Sequence, residues 1–181
     1  MAESTLRSAL ADEEASRRLG EDIAAMLAPG DAILLSGDLG MGKTTLARAV
    51  IRALAGDPAL DVPSPTFTLV QAYAARLPVQ HFDLYRIASA DELEELGFSD
   101  AVREGVVLVE WPERAAGALP ADAVTIALSE QGAGRAAEIS GPAAFMDRLG
   151  RSLAIRAFLD GAGRGGASRR FLVGDASARA Y

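Results

Sequence analysis

The sequence holds no cysteine, which excludes disulfides, thiolate metal sites and thiol nucleophiles. Histidine occurs once, as His81, and tryptophan once, as Trp111. A histidine-cluster metal centre is therefore excluded as well. No apolar run comes near the ~18 residues of a membrane-crossing helix. The opening residues Met1 to Leu10 are polar, carry Glu3 and do not read as a signal peptide. Positive charge is in short supply: 18 Lys and Arg stand against 25 Asp and Glu, a net charge of −7. An acidic surface gains nothing from counterion release on nucleic acid, so a role involving RNA calls for a more basic partner to hold it. These absences lead to the expectation of a cytoplasmic protein with no membrane partner. What is present is 181 residues, 50% of them apolar and 24% charged. That is enough for one α/β domain and a little more.

Ala15, Leu19, Ile23 and Leu27 recur four apart, which predicts an amphipathic helix over residues 13–27, with Asp12 as N-cap and Pro29-Gly30 as its stop. Ala32 to Leu35 is a short apolar run between turn residues, as in a buried parallel strand. Thr44 to Leu54 reads as a helix with Leu46, Ala47, Val50, Ile51 and Leu54 on one side. A loop with Pro58, Pro63 and Pro65 follows. Strands are then predicted at 67–73 and 79–85, antiparallel across Leu77-Pro78. Further on come a short acidic helix at 90–96, an apolar strand at 105–109, and two strands at 124–128 and 136–139 around Gly132-Ala133-Gly134. Pro142 suits the first turn of a last helix reaching about Leu159. Gly161 to Arg170, rich in Gly and Arg, reads as a linker.

Chemistry enters at Gly37-Asp38-Leu39-Gly40-Met41-Gly42-Lys43-Thr44. The backbone N–H groups of such a loop cradle phosphate oxygens, and the helix behind it adds the positive end of its dipole. Gly40 and Gly42 let the chain approach the anion without a Cβ in the way. Lys43 reaches the β- and γ-phosphates, and the Thr44 hydroxyl ligates Mg²⁺. Strand before and helix after is the context this motif requires. ATP, or its product ADP, with Mg²⁺ is the expected ligand.

Three further segments are candidates. Val106 to Val109 is an apolar strand ending in Glu110 and Trp111, and ligands of parallel sheets gather at that strand end. Glu110 suits a second Mg²⁺ ligand, or else a solvent-facing strand end. Trp111 suits a neighbour of the nucleotide, or else the core. In His81-Phe82-Asp83-Leu84-Tyr85-Arg86, strand alternation puts His81, Asp83 and Tyr85 on one face. Asp83 could orient an attacking water or hold the Mg²⁺ shell. A polar strand face that catalyses nothing fits the spacing equally. Pro63-Ser64-Pro65-Thr66 is a stiffened loop presenting two hydroxyls, suited to sensing a γ-phosphate or simply to facing solvent.

Taken in order, Gly37 to Thr45, Ser64-Pro65-Thr66-Phe67-Thr68-Leu69-Val70, His81 to Arg86 and Val109-Glu110-Trp111-Pro112 resemble the TsaE (YjeE) family. That family is the ATPase component of bacterial threonylcarbamoyladenosine formation in tRNA. The resemblance covers residues 1–150. It implies an α/β fold of the P-loop NTPase kind, three-layer αβα with a mostly parallel central sheet. It also implies weak intrinsic ATP hydrolysis, and action with TsaB and TsaD on tRNAs reading ANN codons, with tRNA met only through the complex. Carried over by position, Asp38, Leu39, Gly40, Met41, Gly42, Lys43, Thr44 and Thr45 bind nucleotide. Thr44 and Glu110 hold Mg²⁺, and Asp83 joins Lys43 as a catalytic group. Trp111 and Arg135 lie beside the nucleotide, and Thr66 sits in a switch-like loop. Ser16 stands where the family often has Thr near the adenine. Met41 replaces the more usual Ala, at a position where only the backbone N–H is needed.

Residues 151–181 depart from that pattern. Ala154 to Asp160, and especially Phe171 to Tyr181, resemble the opening of an aminoglycoside-phosphotransferase-like kinase domain. Without a catalytic His-x-Asp loop or an Asp-Phe-Gly metal motif, this segment reads as the stub of a fusion or a truncated product, or else as a disordered basic tail. Two other function classes fit a chain with this loop. One is a small-molecule kinase, against which stands the lack of an Arg-rich lid and of a second substrate-binding insertion. The other is an interaction module whose nucleotide is structural.

Overall fold

The computed structural model describes residues 4–167 and Arg169. In chain order the elements are β1 (Ser4–Leu10), α1 (Glu13–Ala24), β2 (Ala32–Ser36), α2 (Lys43–Ala55), β3 (Val70–Tyr73), β4 (Val79–Asp83), α3 (Asp91–Glu95), α4 (Phe98–Glu104), β5 (Val106–Glu110), a 3₁₀ turn (Pro112–Ala115), β6 (Val124–Gln131), β7 (Gly134–Gly141) and α5 (Ala143–Gly161). The strands form one sheet in the order β1-β7-β6-β2-β5-β4-β3. Its centre, β6-β2-β5-β4, is parallel. Antiparallel pairing adds β7 and β1 at one edge and β3 at the other.

Strand β5 shows why the layers form. All five of its residues are buried, because each face of a central parallel strand is covered by helices. Val106 and Leu108 join a core with residues of α1, α2 and α5, whereas Val107 and Val109 join a second core with Leu93 of α3 and with Phe98 and Ala101 of α4. The expected three-layer αβα fold is therefore present, with a sheet that is parallel where the helices cover it and antiparallel toward its edges.

Several bounds differ from the sequence pattern. Helix α1 is capped as expected, the Asp12 carboxylate accepting from the Ala15 N–H at 2.8 Å. It ends at Ala24, and Leu27 is buried from the turn that follows rather than from the helix. The strand expected from Phe67 starts only at Val70, since Leu69 has φ 65° and its N–H bonds back to the Pro65 carbonyl at 2.7 Å. Strand β1 and helix α4 were not anticipated. In β1 the signal is weak alternation, with Leu6 and Leu10 turned inward from an otherwise polar edge strand.

The boundary expected at residue 150 falls inside α5. Its buried stripe of Phe145, Leu149, Ser152 and Arg156 continues across that point at helical spacing. Ser152 Oγ donates to the Asp22 carbonyl at 2.6 Å, and Arg156 donates to the Asp22 and Glu21 carboxylates at 3.0 Å each. Arg169 returns to the same Asp22 at 2.7 Å. Ala154 to Asp160 thus belong to α5, and Phe171 to Tyr181 lie outside the described residues. Among the described residues no helix is long and apolar enough to cross a membrane.

Candidate nucleotide site

The loop from β2 to α2 sits at the C-terminal edge of the parallel strands, and its geometry needs glycine. Gly37, Gly40 and Gly42 have φ of 132°, 81° and 95°, in the region that side chains avoid. At Gly37 a Cβ would also stand 2.5 Å from the Leu128 carbonyl of β6. Gly42 caps α2 with no side-chain hydrogen bond, which leaves the helix's first N–H groups available to an anion.

Lys43, the first residue of α2, is 5% exposed. Its Nζ donates to the carbonyls of Gly37 at 2.5 Å and Asp38 at 2.9 Å, and lies 3.7 Å from the centroid of the Trp111 ring. Burial holds its pKa below the ordinary lysine value, against the opposing pull of Glu110, Glu113, Asp83 and Asp38. Trp111 reaches this position through a left-handed backbone, φ 58°. That conformation is costly for a bulky residue. It turns the chain sharply at the end of β5, where the Tyr85 and Trp111 rings meet at 5.0 Å between centroids, tilted by 53°.

Thr44 Oγ1 donates to Glu110 Oε2 at 2.9 Å. The other carboxylate oxygen, Oε1, lies 2.9 Å from His81 Nε2. Asp83 pairs in register with Glu110 across β4 and β5. Its Oδ2 accepts from Thr66 Oγ1 at 2.6 Å and Ser64 Oγ at 3.0 Å, and its Oδ1 accepts from the Tyr85 N–H at 3.0 Å. Of the three residues expected to share one face of that strand, His81 and Asp83 are buried beside Glu110, and Tyr85 emerges beyond the strand end.

Leu39, Gly40, Gly42, Lys43, Thr44, Thr45, Thr66, Asp83, Glu110 and Trp111 all line one cleft of about 370 Å³, joined by Ser64 and Tyr85. Of the four remaining expected residues, Asp38 and Met41 belong to the loop and Arg135 touches it. Asp38 supplies a carbonyl to Lys43, and the Met41 side chain packs on the core. Arg135, on β7, donates to the Gly40 carbonyl at 2.9 Å and braces the loop. Ser16 stays on α1 with its hydroxyl 3.3 Å from the Asp12 carbonyl, and is not among the cleft-lining residues. A larger hollow of about 440 Å³ between α1 and α2 shares only Thr45 with the cleft, and its Arg17 is already paired with Glu14 and Glu21.

The oxygen donors of Thr44 and Glu110 fit Mg²⁺, a hard cation that commonly takes one or two carboxylates and completes its shell with water and phosphate. Among the described residues no group of three His, Cys, Asp or Glu is placed to hold a metal ion.

A glycine loop between strand and helix, with a lysine, a hydroxyl and a strand-end carboxylate converging on it, defines a P-loop NTPase-like protein. The family model for "Threonylcarbamoyl adenosine biosynthesis protein TsaE" matches residues 10–137. The chain belongs to the TsaE family. The tRNA threonylcarbamoyladenosine biosynthesis protein TsaE of Rickettsia conorii is 42% identical over 105 residues, covering 58% of this chain and 59% of that protein. The corresponding protein of Aquifex aeolicus is 41% identical over 106 residues, covering 58% and 75%. The crystal structure of Bacillus subtilus YdiB superimposes with a TM-score of 0.73 at 27% identity, covering 87% of this chain and 99% of that one. The chain spans about three fifths of the length of the Rickettsia relative.

Proposed function

We propose that this chain binds ATP with Mg²⁺ and hydrolyses it in the cytoplasm, in support of threonylcarbamoyladenosine formation in tRNAs that read ANN codons, acting with TsaB and TsaD. The observation that carries the reading is the convergence of Lys43, the Thr44–Glu110 pair and Asp83 on one cleft beside the glycine loop. The names of the relatives supply the pathway.

In this reading Lys43 leaves the Gly37 and Asp38 carbonyls for the β- and γ-phosphates. Thr44 and Glu110 hold the ion, which when bound neutralises phosphate charge. Asp83, released from Ser64 and Thr66, orients a water. The oxygen of the water bonds to the γ-phosphorus as the bond to the ADP oxygen breaks, and the water's proton is lost to solvent, giving ADP, inorganic phosphate and H⁺. The isolated chain turns over weakly for two reasons. Asp83 is engaged by two hydroxyls, and no arginine is among the described cleft-lining residues. An arginine supplied by a partner is worth about 10³–10⁵ in rate in related chemistry. The acidic chain leaves tRNA contact to its partners.

The test is tRNA modification reconstituted with TsaB and TsaD under multiple turnover. Modification is expected to depend on this chain and on ATP. Asp83→Asn should keep ADP affinity within about threefold while losing about 100-fold or more in turnover, as for a group that acts in the transition state. Sustained modification without the chain, or full activity of Asp83→Asn, overturns the reading.

A further inference from the structure

Strand β4 places His81 two residues before Asp83 on the same face, and the ring is completely buried. Its register neighbours are Leu108 on β5 and Gln71 on β3. Nε2 meets Glu110 Oε1 at 2.9 Å, and Nδ1 has no hydrogen-bond partner among the described residues. A metal-ligating carboxylate accepts hydrogen bonds, so the nitrogen facing it is the donor, Nε2–H. Leaving the other nitrogen unpaired at a fully buried position is costly. Leucine would fill similar space without that cost. Packing alone therefore does not account for an imidazole at this position.

The Glu110 contact does. A glutamate's terminal torsion is broad, and an unrestrained carboxylate would turn either oxygen, or neither, toward the ion. Here one oxygen is occupied from below by the ring and the other is aimed at Thr44. We propose that His81 is a positioning residue for Glu110: its Nε2–H holds Oε1 and thereby presents Oε2, beside the Thr44 hydroxyl, to the nucleotide's divalent cation. The inference rests on Glu110 being the metal ligand of the function proposed above. Outer partners of this kind typically affect metal affinity by about 10–100-fold.

Calorimetric titration of the full chain with ADP, once with saturating Mg²⁺ and once with EDTA, tests it in wild type, Glu110→Gln, His81→Leu and His81→Gln. His81→Leu is expected to weaken Mg²⁺-supported ADP binding about tenfold or more while leaving the EDTA affinity within about twofold. His81→Gln, which keeps a donor, should recover most of the loss. If Glu110→Gln leaves the Mg²⁺ dependence intact, the metal-ligand assignment itself fails, and the inference with it. If Glu110→Gln weakens Mg²⁺-supported binding and His81→Leu does not, or His81→Leu weakens both conditions equally, only the role of His81 is overturned. A second measurement needs no variant. His81 is the only histidine, so the imidazole ¹⁵N signals of the native chain report one ring. They should show the Nε2–H tautomer and shift with ADP and Mg²⁺ but not with ADP and EDTA. Identical spectra in the two conditions overturn the inference even if His81→Leu fails to fold.

Discussion

Lys43 carries its charge in a buried position, beside two loop carbonyls and the Trp111 ring. Buried and depressed in pKa, it holds its proton less tightly in the folded chain than in the unfolded one. The unfolded state therefore binds more protons between the lowered folded value and the ordinary value of 10.5, and the empty protein gains stability as pH rises through that window. Lys43→Met should remove this gradient and melt no lower than wild type, since two of its lost partners are carbonyls of the half-buried Gly37 and the exposed Asp38, and methionine can still pack on the third, the Trp111 ring. It should also lose the stabilisation that ADP gives, about 2.7 kcal/mol for wild type at a ligand concentration 100 times Kd. Trp111 offers an independent readout, because its ring lies on Lys43 and the chain has no other tryptophan. ADP should alter its emission in wild type and not in Lys43→Met. An undiminished thermal shift with ADP in the variant would remove Lys43 from the binding site.

Helix α2 is held in place by a close crossing with α1. A Cβ added at Gly20 would stand 2.5 Å from the Ala49 Cβ and 3.0 Å from the backbone of Ala49 and Val50. Replacing a helical glycine with alanine ordinarily stabilises by about 1 kcal/mol. Overpacking costs about 1–3 kcal/mol, and it should win here because the obstacle is backbone and the Cβ attached to it. Gly20→Ala is expected to lower urea stability, and adding Ala49→Gly to restore much of it. A single variant at least as stable as wild type would show that the two helices separate freely. Elements with dense periodic signals were legible in the sequence: β2, α2 and β5 lie within a residue of their expected bounds. Helix α4 was not, because seven residues with only Phe98 and Ala101 buried carry too little pattern. Strand β1 is recognisable chiefly through its pairing with β7.

The whole molecule is closed by α5 and the segment after it. Arg156 lies between Asp22 and Glu21 with all three side chains buried. Arg156→Met should cost about 3 kcal/mol, the low end for breaking a buried pair, because Arg169 still faces Asp22 and Arg17 still faces Glu21. ADP affinity should be unchanged, since none of these residues lines the cleft. A chain ending at residue 150 should melt below one ending at residue 169. Equal melting temperatures would support the boundary at residue 150 that the family resemblance implies. The sequence by itself determined the phosphate loop, because that chemistry is local: contiguous backbone N–H groups, glycines at fixed offsets, and a lysine and a hydroxyl next to them. It also marked Glu110 as an acid at a strand end. Only the tertiary structure decided that Glu110 faces a hydroxyl 66 residues away and a histidine 29 residues away, and that Asp83 is held by Ser64 and Thr66. It also buried Arg156, which lies beyond the residue 150 at which the family resemblance stops, against Asp22 and Glu21. Those contacts follow from strand register and helix crossing, which bring distant residues together with no local periodicity to announce it.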